Sequence, residues 1–199
     1  MKLTYLAHST FLIEAEDGAR LITDPVNKGS GYDLNGVQAD VVTVSHHHFD
    51  HDAVEEQITG DPVVVDTVGA LAEKGFVIVG YPSFHDEVQG AKRGPNVLFK
   101  IEADGKTVVH LGDLGHDLDE ETIRELKNAD ALLIPVGGTF TLDAKQAAEL
   151  AEKLEPKNVV PMHYKTEQLT FEIAPLDPFL KKTKKLPVKV LKMGESMIL

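Results

Sequence analysis

The stretch His46-His47-His48-Phe49-Asp50-His51 places four of the chain's nine histidines within six residues, together with one aspartate. It directly follows Val41-Val42-Thr43-Val44, an apolar and mostly β-branched run that predicts a buried strand. A strand end is a rigid platform from which the following loop can turn side chains inward. Imidazole and carboxylate donors suit zinc, manganese and iron. The stretch therefore predicts a metal site at the end of a buried strand.

The first half of the chain predicts strands joined by tight turns. We expect strands at Thr10–Glu14 and Arg20–Thr23 around an Asp-Gly turn, because this dipeptide is a hairpin signal. A second Asp-Gly turn predicts strands over residues 97–101 and 107–111. Short β-branched runs predict further strands at Val63–Val65 and residues 76–79.

The second half alternates strands with helices. Asp117 and Glu120 have the spacing of a capping box and precede apolar residues at helical intervals, so a helix is expected to begin near Asp117. Asp143 is expected to cap another helix, which ends before Pro156. Apolar runs at residues 131–134 and 158–160 predict the strands between them. This order predicts a layered α/β arrangement in a single domain over residues 1–199.

Composition narrows the class of partner. The 32 acidic and 20 basic residues give a formal net charge of -12, which disfavours binding to long nucleic acids. The chain has no cysteine, so disulfides, thiol nucleophiles and cysteine-based zinc sites are excluded. It shows no signal-peptide core and no membrane span, so we expect a cytoplasmic protein without membrane contact. The sequence does not decide the oligomeric state, so an oligomer is one of the alternatives.

The motif His46-x-His48-x-Asp50-His51 resembles the signature of the metallo-β-lactamase superfamily. Other residues are similar to its further motifs in their usual order: Asp24 to the early aspartate at a strand end, His85 to the third-motif histidine, Asp113 to the bridging aspartate and His163 to the final histidine. His85 departs from the Gly-His-Thr setting of many lactamases, because its neighbours are Phe84 and Asp86.

Four shorter stretches resemble the subgroup of metal-dependent hydrolases that includes ascorbate-6-phosphate lactonase. They are His8-Ser9-Thr10-Phe11, His85-Asp86-Glu87, Arg93-Gly94-Pro95-Asn96 and His110-Leu111-Gly112-Asp113-Leu114-Gly115.

The resemblance implies a four-layer αββα sandwich with two divalent metal ions at the strand ends, zinc first, with manganese and iron as alternatives. His46, His48 and His85 would hold one ion, and Asp50, His51 and His163 the other, with Asp113 as a bridge. A hydroxide between the ions would be the nucleophile, because metal binding lowers the pKa of water to about 7. Asp50 would both bind metal and orient that nucleophile.

Several residues around this set have two interpretations. Asp24 accepts the second N–H of a ligand histidine, or only forms a turn before Pro25. His8 lines the substrate pocket, or is a core histidine whose hydrogen bonds are satisfied. His116 donates a proton to a leaving group, or caps local backbone. Arg93 and Lys165 bind an anionic part of the substrate, and for Arg93 a solvated loop is the alternative. His47 is expected to point away from its neighbours.

The leading functional hypothesis is hydrolysis of an ester-like bond in a small molecule, with a lactone as one example. Cleavage of small or cyclic nucleotide phosphodiesters is an alternative, because two metal ions suit attack at phosphorus equally well. Redox chemistry at a mononuclear iron and metal binding without turnover are the remaining alternatives.

Overall fold

Fourteen strands and four α-helices follow one another along the 199 residues, all of which the computed structural model describes. The strands are β1 (Lys2–Ala7), β2 (Thr10–Glu14), β3 (Arg20–Thr23), β4 (Val37–Gln38), β5 (Val41–Thr43), β6 (Ile58–Thr59), β7 (Val63–Val65), β8 (Gly69–Glu73), β9 (Phe76–Phe84), β10 (Pro95–Ala103), β11 (Lys106–His110), β12 (Ala131–Pro135), β13 (Val159–Met162) and β14 (Ser196–Ile198). The helices are α1 (Val54–Gln57), α2 (Glu120–Leu126), α3 (Ala144–Leu154) and α4 (Asp177–Lys182).

Two six-stranded sheets hold most of these strands. The first has the order β14-β1-β2-β3-β5-β7, and the second has the order β13-β12-β11-β10-β9-β8. Both mix antiparallel hairpins with parallel pairs, such as β3 with β5 and β11 with β12. The strands β4 and β6 form a separate parallel pair.

The inner faces of the two sheets enclose the largest apolar cluster. In the first sheet Leu3, Phe11 and Leu21 are fully buried, and Phe99 and Leu133 are their counterparts in the second sheet. Alternate residues along these strands point to this cluster, as the two-residue period of a strand requires. The cluster holds the sheets face to face.

The outer faces are covered unequally. The second sheet packs against α2, α3 and α4 through a second buried cluster that includes Leu132, Leu150 and Phe179. The first sheet is covered more thinly, by the one-turn helix α1 and the β4–β6 pair around Val42 and Ile22. The predicted layered α/β arrangement is confirmed. No helix has the length and apolarity needed to cross a bilayer.

The helix caps test the sequence reasoning directly. Asp143 caps α3 as predicted, and its side chain accepts hydrogen bonds from the backbone N–H groups of Lys145 and Gln146. The prediction of Asp117 as the cap of α2 is wrong. The cap is Asp119, which has extended backbone and accepts a hydrogen bond from the N–H of Thr122 three residues on.

Two edge strands extend the predicted set. β13 continues through Pro161, which lies at the edge of the second sheet, where a residue without an N–H is tolerated. β8 pairs with β9 at the opposite edge and is almost wholly exposed, so no apolar alternation marks it in the sequence.

Candidate metal centre

Strand direction brings the predicted site residues to one edge of the fold. The strands β1, β3 and β5 run in one direction in the first sheet, and β9, β11 and β13 share a direction in the second. The residues that follow their carboxyl ends are, in chain order, His8, Asp24, His46, His85, Asp113 and His163. His8, Asp24 and His163 take left-handed backbone with φ of 50°, 36° and 51°, which reverses the chain immediately after a strand.

Besides Asp24, His46 and His51, which also lie within this range of one another, two groups of side chains at this edge have donor atoms close enough to share a cation. One group is His46, His48 and His85, and the other is His8, Asp50, His51 and His163, with donor atoms within 4.8 Å of one another in each group.

Asp113 lies between the groups. Its Oδ2 is 3.1 Å from Nε2 of His85 in the first group and 3.1 Å from Nε2 of His163 in the second. Its Oδ1 is 3.2 Å from Nε2 of His51.

The far side of three of these rings, those of His46, His51 and His85, is held by another group. Nδ1 of His51 lies 2.8 Å from Oδ2 of Asp24, and Nδ1 of His85 lies 3.0 Å from the carbonyl oxygen of Phe140. Ser45 donates its hydroxyl to Asp24 at 2.6 Å and lies 2.9 Å from Nδ1 of His46. These contacts leave Nε2 of these three histidines facing the centre, which is the usual arrangement around a metal ligand.

The backbone of Asp113 is positioned just as closely. Its N–H donates to Oδ1 of Asn96 at 2.9 Å, and Asn96 in turn donates to Ser83 and to the carbonyl oxygen of Leu111. Gly112 precedes Asp113 at φ 52°, and a Cβ there would lie 2.3 Å from Oδ1 of Asn96. Only glycine fits at this approach.

Burial and neighbouring charges give these residues very different pKa values. Burial lowers the pKa of His46 to about 3, and the charge of His51 adds to the effect. Burial would also lower the pKa of His51, but the carboxylates of Asp113 and Asp50 raise it well above its usual value. Burial would raise the pKa of Asp113, but His163 and His51 bring it well below its usual value. His51 and Asp113 therefore shift each other's pKa in opposite directions, as a neighbouring imidazole and carboxylate do.

The donor atoms themselves show that this centre suits a cation. Nε2 of His46, Nε2 of His51 and Oδ1 of Asp113 are buried and have no partner in hydrogen-bond geometry. Buried polar atoms are rarely left without a partner, because the desolvation cost is then uncompensated. Three such atoms that converge on carboxylates and imidazoles fit a divalent metal ion.

Three of the predicted residues lie outside this centre. His47 is 63% exposed and pairs with Asp52 at 2.6 Å, so it points away as expected. His116 accepts a hydrogen bond from the N–H of Phe84 and bonds the carbonyl oxygen of Asp117 through its other nitrogen. Both of its nitrogens therefore bond backbone groups, which favours the capping interpretation, and its role as a proton donor stays a prediction.

Lys165 also has a role other than the predicted one. Its ammonium donates to the carbonyl oxygens of Leu169 and Phe171 and pairs with Glu172. These bonds fix the loop after β13 and occupy the ammonium, so they give no support to substrate binding by Lys165, which stays a prediction.

A cavity of about 330 Å³ opens over the centre. Its lining includes five of the predicted metal ligands, Arg93 and three phenylalanines; in chain order the residues are His48, Phe49, Asp50, His85, Arg93, Asp113, Phe140, His163 and Phe171. Arg93 therefore lies at the site, as the substrate-binding prediction requires.

Sequence reasoning missed the residues that support the centre from a distance. Ser45 and Asn96 have no recognisable spacing to the residues that they help to place, because Ser45 reaches Asp24 and Asn96 reaches Asp113 across pairs of neighbouring strands. His110 stands in the quoted His110-Leu111-Gly112-Asp113 stretch, and it bonds the carbonyl oxygen of Ser9 and the N–H of Gly112. Its position beside Asp113 was the available signal.

The class of protein follows from this fold and centre together with its relatives. Residues 2–163 match the family described as "Beta-lactamase superfamily domain". A crystal structure of a metallo-β-lactamase superfamily protein from Thermotoga maritima is 37% identical, has a TM-score of 0.77 and covers 96% of this chain and 97% of that chain. The chain belongs to the metallo-β-lactamase superfamily.

Within the superfamily, the chain belongs to the UPF0173 metal-dependent hydrolase family. A relative of that name from Pelotomaculum thermopropionicum is 33% identical, and the match covers 99% of each chain. A structure of a metallo hydrolase from Ignicoccus hospitalis, 24% identical with a TM-score of 0.73, covers 98% of this chain and 97% of that chain and shares the fold. The predicted metal-dependent hydrolase is confirmed at this level, and the narrower likeness to ascorbate-6-phosphate lactonase stays a prediction.

Proposed function

We propose that this protein hydrolyses an ester-like bond in a small molecule at a centre of two divalent metal ions. The observation that carries the proposal is the carboxylate of Asp113, which lies within 3.2 Å of histidines from both groups of donor atoms. A shared carboxylate is what two neighbouring cations need, because it screens their mutual repulsion.

The two groups give each ion its own ligands. His46, His48 and His85 would hold one ion, Asp50, His51 and His163 would hold the other, and Asp113 would contact both. Imidazole nitrogen and carboxylate oxygen are good ligands for zinc and are acceptable to manganese and iron. We therefore expect zinc first.

Divalent metal ions held here supply an acidified water and a Lewis acid for the oxygen of the bond that is cleaved. Asp50 is suited to orient the attacking water, because it is ionised. Burial would raise its pKa, but His51 and the hydrogen bond from His8 lower it well below its usual value. A carboxylate with so low a pKa accepts a hydrogen bond without taking the proton.

His8 is best assigned as a positioning residue for Asp50. Its Nε2 lies 3.3 Å from Oδ2 of Asp50, and burial together with the charge of His163 lowers its pKa to about 4. A neutral His8 ring can donate one N–H to Asp50 near neutral pH. The carboxylate is thereby held in one orientation toward the centre.

The proposal is tested by turnover of a matched substrate panel with metal-loaded protein. The panel contains simple esters, lactones, thioesters and phosphodiesters, and metal content is measured on the same preparation. We expect ester or lactone hydrolysis that disappears with a chelator and returns with added divalent metal. No turnover of any ester at full metal occupancy would refute the proposal, and faster phosphodiester cleavage would replace it with the phosphodiesterase alternative.

A further inference from the structure

Three phenylalanines from three separate segments meet at the mouth of the cavity. Phe49 stands inside the histidine-rich stretch, Phe140 lies in the loop before α3, and Phe171 lies in the loop before α4. The Phe171 ring is 6.0 Å from that of Phe49 and 6.4 Å from that of Phe140, at angles of 80° and 69°. These spacings are those of edge-to-face aromatic pairs, so the three rings form one continuous wall.

This wall is exposed where phenylalanine is normally buried. Phe49 is 62% exposed and Phe140 is 37% exposed, and no other phenylalanine is as exposed as these two. An isolated exposed apolar residue needs no explanation, but a contiguous apolar patch around a cavity indicates a surface that binds an apolar part of a ligand. The wall reaches the metal centre, because the Phe171 ring lies 5.6 Å from the ring of His8.

Arg93 closes one end of the wall. Its guanidinium carbon lies 5.5 Å from the centre of the Phe140 ring, and one of its nitrogens donates to the carbonyl oxygen of Thr139 at 3.1 Å. The guanidinium thus contacts an aromatic face and a carbonyl oxygen rather than a carboxylate. Its remaining N–H groups are available for an anionic group in the cavity, which Arg93 lines.

We propose that the substrates are esters that carry a flat apolar ring and an anionic group. This proposal rests on the proposed hydrolase function. The ring lies against Phe49, Phe140 and Phe171, and the anionic group pairs with Arg93. A cavity of about 330 Å³ is at the small end of the ligand cavities of proteins, so it suits one ring with its substituents.

The same wall disfavours a polyhydroxylated substrate such as a sugar lactone. A sugar ring carries hydroxyl groups around its edge, so it offers less apolar surface to the three phenyl rings than a flat apolar ring does. A substrate with a flat apolar ring therefore gains more from this wall than a sugar derivative with the same reactive bond.

Binding of unreactive acids tests this proposal without relying on turnover. We would titrate metal-loaded protein with phenylacetate and with acetate, which share the carboxylate and differ in the ring, and would measure heat. Phenylacetate should bind at least about tenfold more tightly than acetate, because its ring loses water-exposed area against the wall. Equal affinities would overturn the proposal.

Substitutions in the wall test whether the three phenylalanines cause the preference for phenylacetate over acetate. Phe140→Ala and Phe171→Ala should each reduce the phenylacetate-to-acetate ratio several-fold, while Leu71→Ala should leave it unchanged. Leu71 is the matched control, because it is 39% exposed and lies on β8, outside the cavity lining. Unchanged ratios in both phenylalanine variants, with native thermal unfolding, would overturn the role of the wall.

Arg93→Gln tests the anionic half of the proposal. It should weaken phenylacetate about tenfold or more and leave the neutral benzyl alcohol unaffected, because only the acid pairs with the guanidinium. An unchanged affinity for phenylacetate would overturn the assignment of Arg93.

Hydrolysis of phenyl and ethyl esters by the same preparations separates the proposal of the hydrolase function from the proposal of the substrate class. Ring binding without any hydrolysis refutes only the hydrolase function, and hydrolysis without ring preference refutes only the substrate class.

Discussion

His85 is held more firmly than its unusual sequence setting suggests. The next residue, Asp86, accepts hydrogen bonds from the backbone N–H groups of Val88, Gly90, Lys92 and Arg93. Burial would raise the pKa of Asp86, but these four N–H groups lower it to about 2. Asp86 therefore stays ionised and closes its own loop, so it does not compete with His85 for a metal ion.

Removal of the His85 imidazole should affect one metal site selectively. In His85→Ala, the ion beside His46 and His48 loses one of its three histidines, while the group around Asp50 and His163 is unchanged. We expect about one metal ion fewer per chain, a folded protein and a fall in turnover of at least about 100-fold, since even supporting residues of metal ligands contribute 10–100-fold. Elemental analysis and ester turnover measure both effects.

His47→Ala is the matched control for this variant. The His47 ring is exposed and pairs with Asp52 and Asp66, so its loss should change neither metal content nor rate. Two metal ions in His85→Ala, or metal loss in His47→Ala, would contradict the ligand assignment.

Asp113→Ala should be more damaging than His116→Ala. Asp113 contacts histidines of both groups, so its loss should lower the affinity for both metal ions and reduce turnover by at least about 100-fold. His116 only bonds backbone beside His85, and we expect less than about a tenfold effect. Equal losses with intact metal content would place His116 among the catalytic residues.

Metal affinity should rise with pH because of His51. Its raised pKa means that the ring carries a proton near neutral pH, and a metal ligand must release that proton. Affinity should therefore increase about tenfold per pH unit below that pKa and level off above it. Competition with a chromophoric chelator between about pH 6 and pH 8 would measure this slope, and a flat profile would contradict it.

The donor residues could be predicted from sequence, but most of the residues that hold them could not. His46, His48, Asp50 and His51 follow one strand at fixed spacing, and this pattern is local. Ser45 and Asn96 act through contacts that exist only when distant segments have folded together. Phe140 and Phe171 carry no pattern of their own, because loop residues show no periodicity.

At the scale of elements, the strand ends place the chemistry, and Gly112 is a tight junction beside Asp113. An alanine there would bring a Cβ within 2.6 Å of Cβ of Ser45 and close to Oδ1 of Asn96, at a positive φ. Gly112→Ala should destabilise the fold by about 2–4 kcal/mol, as overpacking in a filled interior costs about 1–3 kcal/mol and left-handed backbone costs about 1 kcal/mol more. Denaturant unfolding would measure it.

Gly105→Ala separates the two costs. Gly105 has φ 68° in the β10–β11 turn, but a Cβ there meets no atom within 4 Å. It should therefore show only the backbone cost of about 1 kcal/mol. Equal destabilisation in the two variants would show that the contact with Ser45 and Asn96 relaxes without cost.

Helix starts and strands could be predicted from the sequence where neighbouring residues alone determine them. The cap of α3 was predicted correctly because Asp143 and Gln146 form a reciprocal capping box. The cap of α2 was not predicted correctly, since two aspartates, Asp117 and Asp119, offer competing starts before Thr122, and the extended backbone of Asp119 decides between them. β8 was missed because an exposed edge strand needs no apolar face.

At the scale of the whole molecule, the metal centre joins the two sheets. His46 follows a strand of the first sheet, whereas His85, Asp113 and His163 follow strands of the second. Metal ions bound between them should stabilise the sandwich, because a ligand that binds only the folded state adds about 4 kcal/mol at a concentration 1,000 times its Kd. For a chain of this size, that corresponds to a rise in Tm of roughly 8–16 °C.

Thermal unfolding with and without metal measures this coupling. The Tm should fall when a chelator removes the metal and should recover when zinc is added back. Asp113→Ala should lose most of the metal-dependent rise, because its carboxylate is the contact common to both groups, while His47→Ala should keep it. If the wild-type protein has the same Tm with and without metal, and elemental analysis verifies that metal is bound, then the sheets are held together by their apolar core alone. The metal centre would then contribute nothing to the stability of the fold, and the donors from both sheets would serve only to position the metal ions for chemistry.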